Sequence, residues 1–205
     1  MIIDGGPVGI GIESTIIDLT EDTPMVLRPG YITPQMLSKV LGKEVIIDPG
    51  IIAADDTRKP KAPGMKYKHY APKADMAIVD GTRKHVIAKI NELVASHRDD
   101  GKKIAVIATE ETKQFYDADV VLSMGSRADE DSIAHELYRI LRDCDELDVD
   151  VIFSESFSTP RIGQAIMNRM LKAAGHQVID THVKYDKIIF VAQTAHAGSR
   201  WQRAS

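Results

Sequence analysis

The chain has a single cysteine, no long apolar run and no excess of positive charge, and each absence narrows its class. Cys144 has no partner for an internal disulfide, which fits a reducing compartment. It falls in a predicted helix and reads as a small core residue rather than a nucleophile. No stretch approaches the ~20 apolar residues that span a bilayer. The opening Met-Ile-Ile-Asp-Gly-Gly has no basic segment leading into an apolar one. No signal peptide and no membrane partner are therefore expected, and the cytoplasm is the expected location. A formal net charge of -4 gives no reason for nonspecific nucleic-acid binding. What is present, 43% hydrophobic and 27% charged residues, suits a globular chain able to bury a core. Its 205 residues can form one large domain or two small ones.

Residues 60–73, Pro-Lys-Ala-Pro-Gly-Met-Lys-Tyr-Lys-His-Tyr-Ala-Pro-Lys, break the pattern of the rest. Proline fixes φ and pushes the residue before it toward extended conformations, so this stretch reads as a semi-rigid strap. Lysines interleaved with Tyr67, His69 and Tyr70 suit contacts with phosphates or nucleobases. Composition alone equally allows an ordinary proline-rich linker.

Before the strap, a glycine-rich turn (Gly5, Gly6, Pro7, Gly9, Gly11) runs into a β-branched stretch over residues 12–19, which reads as a strand. Met25 to Arg28 is a second strand, stopped by Pro29-Gly30. Thr33-Pro34 is an N-cap with proline at the first helical position, Gly42 closes that helix, and Val45-Ile-Ile is a third strand. So few elements do not bury a core alone. This segment reads as a remnant that needs neighbouring strands.

From Met76 strands and helices alternate. Ala77-Ile-Val, Lys103 to Ala108, Asp119-Val-Val-Leu-Ser and Val149 to Phe153 read as strands, with a short helical piece near 110–116. Thr82 caps a helix carrying Val86, Ile87, Ile90, Leu93 and Val94 on one face. Ile133, Leu137, Ile140 and Leu141 mark another helix; Ile166, Met167, Met170 and Leu171 mark the last, which Gly175 ends. Near-continuous apolar strands alternating with helices predict an α/β fold with a doubly wound, mostly parallel sheet. Ligands in such sheets gather at the carboxyl ends of the strands. That nominates Asp80 to Arg83, Ala108 to Glu110, Ser123 to Asp131 and Ser154 to Arg161. The Ser123–Ser132 turn could seat an anion at a helix start, but Asp129, Glu130 and Asp131 read more simply as capping charges.

Three motifs in order carry a family resemblance. Gly11-Ile-Glu-Ser-Thr-Ile-Ile-Asp-Leu and Leu27-Arg-Pro-Gly-Tyr-Ile-Thr resemble the close of the YrdC-type catalytic domain of threonylcarbamoyl-AMP synthases. Ala62-Pro-Gly-Met-Lys-Tyr-Lys-His-Tyr-Ala-Pro resembles the linker of the two-domain members. The Ser123 to Arg127 turn and the helix from Gly163 resemble their C-terminal extension domain. The resemblance divides the chain into a C-terminal remnant of an α+β YrdC-type catalytic domain (1–53), an interdomain linker (54–75), a Rossmann-like extension domain (76–180) and a non-family tail (181–205). It implies a nucleotidyltransferase that makes threonylcarbamoyl-AMP from threonine, bicarbonate and ATP, with Mg²⁺, for the tRNA-modifying machinery. It implies that Ser14 contacts threonine, that Arg28 contacts ATP, and that Tyr67 and His69 lie in the linker over the active site. Without the motifs, Ser14 reads as a polar face residue, Arg28 as a solvated turn residue and His69 as a surface histidine.

The family's nucleotide-holding Lys-x-Arg and Ser-x-Asn motifs do not occur upstream of Ser14. The chain alone is therefore expected to be inactive, with a separate N-terminal portion as a possible partner. The alternative is a non-catalytic nucleotide- or protein-binding module. In the tail, Tyr185 to Val191 resembles the first strand of low-molecular-weight phosphatases, yet no Cys-x5-Arg loop follows. A reading-frame slip at the Val191 codon would account for this, since suitable codons shifted by one base restore such a loop. No phosphatase activity is expected of the chain as it stands.

Overall fold

The computed structural model describes residues 9–52, 71–157 and 162–182. In the first of these segments, β1 (Ile16–Asp18) pairs antiparallel with β2 (Met25–Arg28), and β3 (Ile46–Ile47) lies parallel to β2 on its other side. The expected strand over 12–19 contracts to β1. The residues before it leave the sheet to meet the rest of the protein.

Helix α1 (Pro34–Leu41) forms where the capping signals place it. Thr33 Oγ1 accepts from the Met36 amide at 3.3 Å, and the Gly42 amide donates to the Ser38 carbonyl. No residue of α1 is buried, and Val40 is 84% exposed despite its apolar side chain. A one-turn helix, α2 (Pro49–Ile52), was not anticipated; Asp48 caps it, accepting from the Gly50 amide at 2.7 Å.

The second unit is a five-stranded, all-parallel sheet. It comprises β4 (Asp75–Asp80), β5 (Ile104–Ala108), β6 (Val120–Ser123), β7 (Val151–Glu155) and β8 (Val178–Asp180), in the order β6-β5-β7-β4-β8. Strand β8 follows an αβ turn and is too short and polar to signal itself in the sequence. Period-two alternation sends Ile78, Ala105, Ile107 and Ile152 to one face, and Val79, Ile104, Val106 and Phe153 to the other. Helix α3 (Arg83–Asp99) covers the second face with Val86, Ile90 and Val94. Helices α4 (Glu130–Glu146) and α5 (Gly163–Ala173) cover the first.

The connection through α3 moves one way across the sheet and those through α4 and α5 move the other, so right-handed crossovers place them on opposite faces. Thr82 stands at the N-cap of α3 with extended backbone, but its side chain makes no capping hydrogen bond. The helical piece near 110–116 is a single 3₁₀ turn, Lys113–Phe115.

The opening segment does not stand apart. Ile12 and Tyr31 pack onto the core layer beneath α4 and α5. Gly11, with φ of 72°, runs so close to α4 that a Cβ there would lie 2.4 Å from the His135 Cα. Only glycine fits that approach.

Candidate functional site

Two polar centres stand out, and the first lies where the opening segment meets α5. Ser14 precedes β1 and Arg28 ends β2, so the antiparallel pairing brings them together. The Arg28 Nε donates to the Ser14 carbonyl at 3.0 Å, and Nη2 donates to Ser14 Oγ at 3.1 Å. A planar guanidinium fork makes this two-point grip; a lysine would not. The pairing requires Gly30, where a Cβ would sit 2.5 Å from the Glu13 carbonyl oxygen and 2.6 Å from the Thr15 nitrogen.

Beside this pair, Glu13 accepts from Arg169 Nε of α5 at 2.5 Å. Arg169 is 5% exposed, and Asn168 Oδ1 accepts from its Nη1 at 3.1 Å. Burial alone would raise the Glu13 carboxyl. The Tyr138 hydroxyl against it, followed by the charge and hydrogen bond of Arg169, hold it below the usual carboxylate range instead. Lys172 stands one turn further along α5. Burial first, then repulsion from Arg169, push its amine down to about 8, with Glu13 opposing and Arg28 reinforcing the shift. Four charged side chains from two halves of the fold thus share one neighbourhood.

Next to it lies a cavity of about 430 Å³, walled by Ile12, Glu13, Ser14, Tyr31, Ile32 and Leu37 among others. Its walls are mostly apolar, with Ser14 and Glu13 supplying polar atoms. Such a space suits a small molecule that presents a few polar groups.

The second centre is at the carboxyl ends of β5, β6 and β7, as the topology predicts for ligands. It is filled by the protein itself. Glu155, 1% exposed, accepts from Tyr116 Oη at 2.6 Å and from Arg127 Nη2 at 2.6 Å. Arg127 also donates to the Ser156 carbonyl and stacks over Phe157. Burial, then the Glu155 hydrogen bond and charge, push the Tyr116 hydroxyl up, so it stays a donor.

The Ser123–Ser132 turn does gather an anion, but the anion is Glu111. Its Oε1 accepts from Ser126 Oγ at 2.5 Å and from the Arg127 amide at 3.0 Å. Asp129 caps α4 by accepting from the Ser132 amide at 3.2 Å. The capping interpretation holds here, and the groups of the centre are largely occupied with one another.

Of the residues singled out by motif, Ser14 and Arg28 are thus brought into direct contact. Tyr67 and His69 lie outside the described residues, as does the tail stretch from Tyr185 to Val191. Glu13, Arg169 and Lys172 were missed. A signal existed for Arg169: it occupies the face of α5 that otherwise buries Ala165, Ile166, Met170 and Ala173. A charge on the buried face of a helix demands a partner. Among the described residues, no group of three or more His, Cys, Asp or Glu side chains is placed to hold a metal ion. No described helix is long and apolar enough to cross a membrane.

Comparison with known proteins supplies the family context. Residues 32–175 match the profile of the threonylcarbamoyl-AMP synthase C-terminal domain. The chain is 44% identical over 178 residues to a threonylcarbamoyl-AMP synthase of Bacillus subtilis (strain 168), an alignment covering 87% of this chain and 49% of that protein. It is 45% identical over 179 residues to the enzyme of the same name from Pyrococcus abyssi (strain GE5 / Orsay), covering 87% and 50%. The crystal structure of P. abyssi Sua5 complexed with L-threonine superposes with a TM-score of 0.78 at 43% identity, covering 87% of this chain and 50% of that one. The chain therefore spans about half the length of the curated relatives it matches.

Proposed function

The chain belongs to the threonylcarbamoyl-AMP synthase family, and we propose that it supplies the C-terminal half of such an enzyme, including one wall of the active site. In this reading threonine, bicarbonate and ATP become threonylcarbamoyl-AMP, pyrophosphate and water. The threonine amine takes the bicarbonate carbon to give a carbamate. A carbamate oxygen then bonds to the α-phosphorus and pyrophosphate leaves. The product serves tRNA threonylcarbamoylation in the cytoplasm.

One observation carries the reading. Ser14, assigned to threonine by motif, and Arg28, assigned to ATP, form a single hydrogen-bonded unit at the edge of a small-molecule-sized cavity. The reaction needs the amino acid and the nucleotide phosphates side by side, because proximity supplies much of the rate of a two-substrate step. Ser14 Oγ orients threonine, and Arg28 holds both the serine and the nucleotide charge. Tyr67 and His69 enter from the sequence motif alone, as contacts over the substrates. Mg²⁺ arrives on the nucleotide as part of the substrate, and no step is assigned to it.

The apolar surface of the opening segment supports a composite site. Ile10 and Ile32, which line the cavity, are exposed, and so are Met36, Val40 and Leu41 of α1. A further catalytic portion covers this face and brings the remaining cations. A non-catalytic binding module is the less favoured reading, since the named relatives are synthases.

Pyrophosphate release tests this with the chain alone and with a separately expressed N-terminal half of the B. subtilis relative. Turnover is expected only in the mixture. There, Ser14→Ala raises the KM for threonine more than that for ATP, and Arg28→Lys does the reverse. Kinetics unchanged by both substitutions would defeat the assignment.

A further inference from the structure

Two stretches of chain face each other across the cavity beside Ser14. Residues 10–17 form one side, and Tyr31, Ile32 and Leu37 form the other. Thr15 lines this space as well, and the roles given above to Ser14 and Arg28 leave it unused. Its Oγ1 donates to the Ile32 carbonyl at 2.7 Å, which ties one side directly to the other. That carbonyl lies one residue ahead of the Thr33 cap, so α1 makes no use of it; the first bond of the helix runs from the Leu37 amide to the Thr33 carbonyl. Whatever fixes Ile32 therefore fixes, through the buried cap, the first turn of α1 and Leu37 with it. Gly30 passes beneath this bond, where a Cβ would sit 2.8 Å from Thr15 Oγ1. The outer ends of both sides are held too, since Ile12 and Tyr31 pack on the core beneath α4 and α5.

A hydroxyl carries one proton, and that of Thr15 is given to Ile32. It is not free to donate to a ligand, so Thr15 acts on one through the wall it holds. That wall is apolar. Threonine and serine offer Ser14 the same polar groups and differ by a methyl, which only an apolar surface senses. Burying one methyl is worth roughly four-fold in affinity. The gain is realised only at van der Waals contact, because dispersion fades within a gap of about 1 Å. A cavity of about 430 Å³ exceeds the side chain of one small amino acid, so contact depends on a wall held in place.

We propose that Thr15 is a specificity-determining positioning residue. Its bond to Ile32 holds Tyr31, Ile32 and Leu37 at the spacing that lets the cavity tell threonine from serine. This rests on the reading of the cavity as the threonine site.

NMR titration of the isotope-labelled 205-residue chain with L-threonine, and separately with L-serine, tests the proposal. Amide signals of residues 31–37 report binding at the wall. The wild-type chain should prefer threonine by roughly four-fold. Thr15→Val keeps the shape and removes the hydroxyl; it should bring the preference below about two-fold, chiefly by weakening threonine. Thr15→Ser restores the hydroxyl and should restore the preference. A residue with a merely structural role would weaken both amino acids alike and leave their ratio unmoved. That result, a preference undiminished in Thr15→Val, a preference lost equally in Thr15→Ser, or a wild-type chain that binds neither amino acid or both equally would overturn the proposal.

The turnover assay separates this idea from the reading beneath it. A Thr15-dependent preference without turnover in the complemented mixture would sink the synthase reading and leave the amino-acid cavity standing. Turnover whose ratio of kcat/KM for threonine over serine is the same in wild type and Thr15→Val would do the opposite.

Discussion

Replacing Glu13 by alanine isolates the contact that joins the two parts of the fold. In the intact protein the Arg169 guanidinium, 5% exposed, donates to Glu13 at 2.5 Å and to Asn168 at 3.1 Å. Its Nη2 is buried and has no hydrogen-bond partner among the described residues. Glu13→Ala therefore strands a buried cation on one neutral acceptor. Breaking a buried pair in this way costs about 3–5 kcal/mol; with Glu13 itself 30% exposed, ~2–4 kcal/mol is the expected range.

For a chain of this size that corresponds to a fall in Tm of ~5–15 °C. Arg169→Met should cost less, roughly 1 kcal/mol, because it leaves a carboxylate that water can reach and puts an apolar chain among apolar neighbours. The double variant should resemble Arg169→Met, giving a coupling as large as the Glu13→Ala loss itself, ~2–4 kcal/mol. Thermal unfolding by circular dichroism gives the magnitudes. Hydrogen exchange at residues 13–18 shows whether the loss is a local undocking. A Glu13→Ala protein melting within about 1 °C of wild type, or an Arg169→Met protein less stable than Glu13→Ala, would refute the argument.

Three further outcomes follow from close contacts elsewhere. Gly30→Ala places a methyl group against the Glu13 carbonyl and the Thr15 amide, so the backbone must move; a loss of about 1–3 kcal/mol in urea unfolding is expected, with reduced function from parting Arg28 and Ser14, and an unchanged midpoint would contradict it. Arg127→Met leaves Glu155 charged, buried and dependent on Tyr116 and Thr109; ~3–5 kcal/mol should be lost, whereas wild-type stability would mean that the cluster carries no ion pair of consequence. Cys144 is buried, and that burial, followed by Asp143 and Asp145, pushes its thiol up to about 12; a thiol reagent at about pH 8 should label it only after denaturation, and rapid labelling of native protein would show the helix packing to be wrong.

Much of the fold was legible because its determinants are local. The Thr33-Pro34 cap, the Gly42 stop and the apolar runs from Ile104 and Val151 each act within a few residues, and the elements form where those signals sit. The expectations that shifted are those where a neighbour overrides local preference. Strand β1 is shorter than its β-branched stretch because Ile12 and Glu13 turn aside to reach α4 and α5. Strand β8 pairs only because α5 delivers it beside β4.

By itself, then, the sequence determined the alternation of strands and helices, and its motifs singled out Ser14 and Arg28 as candidates. Periodicity, capping and short motifs are properties of neighbouring residues. Only the tertiary structure decided the strand order and which charges meet. Glu13 and Arg169 are 156 positions apart and Arg127 and Glu155 are 28 apart. Pairing across such distances depends on how the crossovers lay the helices on the sheet, and nothing within a helix or strand encodes where another element's charge will come to rest.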